Sequence, residues 1–182
     1  MAVALPFGAP LTVDDLQSMP EDGHRYELVD GSLFVTPGPN LRHQTCLLSL
    51  AVLMHGARPP GYTVLFAPFA YRPSTVTELQ PDLLVAMTVD FGPDRIERPP
   101  LLVVEVASPS TRRYDLGTKR LAYQDAGVAA YWLVDPDEPG LTVLHLEEGR
   151  LVEHARVAGD EPYRAGHPYA VTVVPARLVD GA

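Results

Sequence analysis

The sequence predicts a layered α/β or α+β fold, and three observations carry that expectation. Two short apolar runs, residues 80–87 and 101–107, are β-rich, unbroken by polar alternation and bounded by prolines. Such runs mark strands buried on both faces. A helix-forming segment, 116–126, and a third apolar run, 130–134, come next, so the middle of the chain reads strand, strand, helix, strand. Finally, residues 141–146 and 150–157 flank Glu148-Gly149 and form a terminal antiparallel hairpin.

The remaining elements follow in chain order. Thr12 to Leu16 begins with capping residues and makes one or two helical turns ending at Met19-Pro20. Residues 25–28 and 32–36 form a hairpin, because Asp30-Gly31 tolerates the positive φ of a tight turn. A helix over about 43–57 is apolar on most sides through Leu47, Leu50, Val52, Leu53 and Met54, and Gly56 and Pro59-Pro60-Gly61 stop it. Residues 62–66 and 69–72 read as strand, interrupted at Pro68. Asp115 caps the helix over 116–126, with Gly127 as its C′ glycine. Residues 169–174 make a last short strand.

Composition narrows the function. With 182 residues and 46% hydrophobic content, the chain has apolar material for one sizeable core, so a single domain over 1–182, with its core at about 12–174, is expected. Fourteen basic against 23 acidic residues give a net charge of −9, which disfavours non-specific attraction to phosphate backbones. A bound divalent metal inverts such a field locally, so a nucleic-acid enzyme stays open. The single cysteine, Cys46, excludes an internal disulfide framework and any multi-cysteine zinc site, and fits a reducing compartment. Only 15 residues separate Arg42 from Arg58, against the roughly 20 apolar residues a spanning helix needs. The N-terminal stretch lacks the basic region of a secretory signal. A cytoplasmic protein with no membrane span is the expectation.

Glu105 is the anomaly. It lies inside Leu101-Leu102-Val103-Val104-Glu105-Val106-Ala107, where an unpaired carboxylate would cost several kcal/mol. It is an edge-strand glutamate reaching solvent, a member of a buried ion pair, or a ligand to a cation. Asp82, at the start of the neighbouring run, is a turn residue or a second acid of the same site. If the two strands are neighbours, the carboxylates meet, and a hard cation such as Mg²⁺ would relieve their repulsion. A lysine two positions beyond Glu105 would share its strand face, but that position holds Ala107. The only lysine of the chain, Lys119, either pairs with Asp115 at i,i+4 on a surface or points back into the sheet.

These motifs together are specific. Pro81-Asp82, Glu105-Val106-Ala107-Ser108-Pro109-Ser110-Thr111, Asp115-Leu116-Gly117-Thr118-Lys119-Arg120 and Tyr131-Trp132-Leu133-Val134-Asp135-Pro136 resemble the Uma-two family of restriction-endonuclease-like proteins, in the PD-(D/E)XK nuclease superfamily. Arg25-Tyr26-Glu27-Leu28-Val29-Asp30-Gly31 and Arg42-His43-Gln44 match its pattern too, and the resemblance spans about 12–174. It implies a mixed central sheet flanked by helices and a metal-dependent endonuclease hydrolysing DNA phosphodiester bonds. Asp82, Glu105 and the carbonyl of Val106 would hold Mg²⁺ or Mn²⁺, and Lys119 would replace the lysine missing at Ala107. Glu27 is a further acid or a plain strand glutamate, and His43 a phosphate or water contact or a local hydrogen-bonding partner. Ser108, Ser110 and Thr111 shape the loop after the strand, and Arg112 and Arg113 are candidates for the DNA backbone. Cys46 and Trp132 read as core.

Three functions remain open from the residues. The first is the DNA nuclease. The second is a non-catalytic binding or assembly module on the same fold, which the acidic balance and Ala107 favour. The third is a metal-dependent enzyme for another phosphorylated substrate. The apolar runs and terminal hairpin also permit a homodimer.

Overall fold

The computed structural model describes residues 10–108 and 114–180, the side chains of 115 and 116 excepted. After a short helix α1 (Val13–Leu16), strands β1 (Arg25–Val29) and β2 (Ser32–Thr36) form the first hairpin. Asp30 and Gly31 occupy its turn at φ 48° and 74°. A side chain at Gly31 would also strike Pro10. Helix α2 (Leu41–Ala57) begins two residues before the expected start, because Asn40 caps it by accepting the His43 backbone N–H at 2.9 Å.

Six strands make the main sheet. They are β3 (Tyr62–Phe66), β6 (Leu83–Met87), β8 (Leu102–Val106), β9 (Ala130–Asp135), β10 (Gly140–Glu147) and β11 (Arg150–Ala158), in the order β11-β10-β9-β8-β6-β3. Only β8 and β9 run parallel, so the sheet is mixed. A smaller sheet, β2-β1-β5-β4-β7, adds β4 (Ala70–Ser74), β5 (Thr77–Leu79) and β7 (Arg95–Ile96). The two-stranded β12 (Tyr163–Ala165) and β13 (Val171–Val173) and the short helix α4 (Pro175–Leu178) close the C-terminal side.

The unbroken apolar runs of β6, β8 and β9 exist because both faces of the main sheet are covered. Leu83, Val85, Leu102, Val104, Val106 and Trp132 pack against Cys46, Leu50 and Met54 of α2. Leu84, Ala86, Val103 and Tyr131 point the other way, toward Tyr71, Leu79 and Tyr123. Position parity therefore sets Glu105 beside Val103, on the face opposite α2. The outer side of α2 is less covered than its composition suggests, with Leu48 and Val52 exposed.

Other elements differ from expectation too. Residues Asp115–Lys119 form a π-helical turn, and the regular helix α3 is only Arg120–Asp125. Asp115 thus lies within the helical segment and does not cap it; the extra residue per turn is what a π-bulge adds. Gly127 does follow at φ 77°. The last strand is shorter than 169–174, at Val171–Val173, and Tyr169 before it donates its hydroxyl to the Met54 carbonyl at 2.8 Å. Strands β5, β7 and β12 and helix α4 are too short to leave a periodic signal.

Candidate active site

Asp82 and Glu105 meet through strand register. In the antiparallel β6–β8 pair Leu83 faces Val104, so the next step outward sets Asp82 opposite Glu105 at the strand ends. Both carboxylates are almost wholly buried, at 3% and 1% exposure, as are Glu27 and Lys119 at 1% and 2%. Their head groups, with Arg25 and His43, line one cavity of about 320 Å³.

Hydrogen bonds fix each acid. Asp82 Oδ2 accepts the Val106 backbone N–H at 2.8 Å and faces His43 Nε2 at 3.0 Å, while Oδ1 accepts from an Arg25 guanidinium nitrogen at 3.0 Å. Burial pushes the Asp82 carboxyl up, but the His43 hydrogen bond and the charges of Arg25 and Lys119 outweigh it and hold the group well below the usual carboxylate range. Glu105 Oε1 accepts from Lys119 Nζ at 2.9 Å and from the Tyr123 hydroxyl at 2.7 Å. Burial and the neighbouring Glu105 and Glu27 charges raise the Tyr123 phenol well above its ordinary value, so it stays a donor. Glu27 Oε1 accepts the Gln80 backbone N–H at 2.8 Å and lies 2.9 Å from the same Lys119 nitrogen. Tyr114 stacks on Phe34 and offers its ring face to Lys119, 5.5 Å from the centroid.

The model of the Uma2 family, described as "Putative restriction endonuclease", matches residues 13–168. The chain belongs to that family. The fold is likewise similar to the crystal structure of a "putative nuclease belonging to DUF820" from Anabaena variabilis ATCC 29413, with a TM-score of 0.76 at 18% sequence identity, over 94% of this chain and 98% of that one. No curated protein matches the chain. Membership of Uma2 makes this a nuclease-family fold, with DNA as the substrate class that the family implies. No helix among the described residues is long and apolar enough to cross a membrane.

All five site residues anticipated from the Uma2-like sequence, Asp82, Glu105, Lys119, Glu27 and His43, line this one cavity. Lys119 lies on the π-helical turn and is buried, its ammonium 2.9 Å from both Glu27 and Glu105. Trp132 and Cys46 are core, and burial pushes the Cys46 thiol up to about 12. Ser108 lines the cavity, while Ser110, Thr111, Arg112 and Arg113 lie outside the described residues.

Sequence reasoning assigned no role to Arg25 or Tyr123. Arg25 stands two positions before Glu27 on β1, hence on the same strand face. Tyr123 stands four after Lys119, one helical turn on. Those spacings were the available signals.

The donor chemistry fits a hard cation. Two carboxylates from adjacent strands meet at a cavity with room for water, and Mg²⁺ is commonly held by one or two carboxylates plus water. Among the described residues, no group of three or more His, Cys, Asp or Glu side chains is placed to hold a metal ion, so the protein would offer two carboxylates at most.

Proposed function

We propose that this Uma2 chain is a Mg²⁺- or Mn²⁺-dependent endonuclease that hydrolyses phosphodiester bonds in DNA. The observation that supports it best is the convergence of Asp82, Glu105 and Lys119, from two strand ends and a helical turn, on one cavity. Asp82, Glu105 and the Val106 carbonyl are the metal-binding set in this reading. A bound divalent cation supplies a more acidic water and positive charge beside the phosphate.

The chain's own groups do the rest. Lys119, aligned by Glu27 and Glu105, neutralises charge developing on the phosphate or orients the attacking water. Glu27 fixes Lys119 and adds an acid to the site. His43 is held by Asp82 through Nε2, and its buried Nδ1 has no hydrogen-bond partner among the described residues, which suits a contact to water or phosphate. The lone buried Cys46 suits a reducing, cytoplasmic setting. Cutting both strands of a duplex would use two copies of the chain.

A second reading, a non-catalytic module on the nuclease fold, draws on the net charge of −9 and on the complete pairing of Asp82 with protein donors. Cleavage of plasmid and single-stranded DNA in Mg²⁺ or Mn²⁺ separates the two, with wild type compared to Glu105→Gln and Lys119→Gln after circular dichroism has verified folding. Metal-dependent cleavage lost in both variants is expected. A folded wild type that cuts neither DNA in either metal would leave the binding module as the function.

A further inference from the structure

We propose that Arg25 is an internal substitute for the divalent cation: it neutralises Asp82 in the metal-free protein, yields Asp82 Oδ1 when the ion binds, and is then released toward the phosphate of the nucleic acid. The inference rests on Asp82 being a metal ligand, as proposed above, and concerns what must move for that to happen.

The partners of Asp82 differ in how readily they can leave. Val106 N–H belongs to the backbone of β8 and cannot withdraw without the strand. His43 sits in the first turn of α2, its own N–H capped by Asn40 and its side chain 8% exposed. Arg25 alone reaches Asp82 on a long side chain that is 19% exposed, and its other hydrogen bond goes to a neutral carbonyl, Gln80 O, at 3.1 Å. Oδ1 is therefore the oxygen a cation can claim, and the guanidinium is the group it displaces.

Charge points the same way. Among the described residues, the acids lining the cavity are Glu27, Asp82 and Glu105 and the permanent cations are Arg25 and Lys119, an excess of one negative charge before His43 is counted. A divalent ion converts that to an excess of one positive charge, which a phosphodiester anion balances. A guanidinium freed at this point keeps its charge and presents a fork of donors suited to phosphate oxygens.

Manganese binding in the absence of DNA tests this, by calorimetry on wild type, Arg25→Gln, Arg25→Lys and Asp82→Asn. Arg25→Gln should bind Mn²⁺ about tenfold more tightly than wild type, because a competing like charge has gone. Arg25→Lys should stay close to wild type, and Asp82→Asn should lose binding. With Ca²⁺ in place of Mn²⁺, Arg25→Gln should also bind a short DNA duplex more weakly. In wild type, the side-chain N–H resonances of Arg25 should shift along the Mg²⁺ titration, a readout that needs no variant to fold. Wild-type binding through Asp82 with no gain in Arg25→Gln and unmoved Arg25 resonances would overturn the exchange but keep the metal site. Absence of Mn²⁺ binding in both wild type and Arg25→Gln would overturn both.

Discussion

Lys119 Nζ lies 2.9 Å from Glu105 Oε1, although the two residues are 14 positions apart and sit on a helical turn and a strand. The strand position that would share Glu105's face holds Ala107, so the positive charge arrives from a different element. The same nitrogen reaches Glu27, so this one lysine is a counter-charge shared by two buried acids. Breaking a buried pair from one side strands the remaining charge. Lys119→Met should therefore lower stability by about 3–5 kcal/mol. Urea unfolding checks this: the midpoint should fall with the slope unchanged.

Tyr123 is the neutral partner of the same Glu105 oxygen, at 2.7 Å. Tyr123→Phe keeps the ring packed among Tyr71 and Tyr131 and removes only the donor. The expected cost is about 1.5–3 kcal/mol, the range for a hydrogen bond to a charged group. An unchanged unfolding midpoint would show that this bond contributes nothing to stability.

Asp82 predicts the acid limb of the stability curve. Its folded-state pKa lies below the unfolded value of 3.8, so ionisation favours the folded state. The contribution is complete above about pH 5 and shrinks as the pH falls through the unfolded value toward the folded one. In EDTA, wild type should lose stability steeply below that point, and Asp82→Asn should start less stable but show a flatter acid limb. Parallel limbs in the two proteins would contradict the assignment.

Cys46 is fully buried against α2's partners on the main sheet, and its thiol is pushed up to about 12. Thiolate is the reactive form, so the native protein should not react with a disulfide reagent at pH 8. Reaction should appear in step with unfolding when urea is added. Rapid labelling of the native state would mean that α2 opens locally at low free-energy cost.

Much of this fold is local chemistry and was readable as such. Asp30-Gly31 and Glu148-Gly149 take the positive φ values that tight turns require. The continuous apolar character of 83–87 and 102–106 reports burial on both faces, and a charged residue within the second run stood out for that reason. The family motifs named the acids and the lysine. What the residues could not supply was adjacency. That β6 lies beside β8, with Leu83 opposite Val104, is a pairing across a long stretch of chain, set by the packing of two layers around the sheet.

By itself the sequence determined the turns, the stopping points of the helices, the doubly buried strands and which polar residues were out of place. Only the tertiary structure decided who neutralises whom. It brought Arg25 from β1 to Asp82, Lys119 from a π-helical turn to Glu27 and Glu105, and Tyr123 to the same oxygen. The physical reason is one of range. Backbone propensity and side-chain periodicity act over a few residues, whereas the desolvation of a buried charge is offset by whichever opposite charge or donor the completed fold sets within about 3 Å.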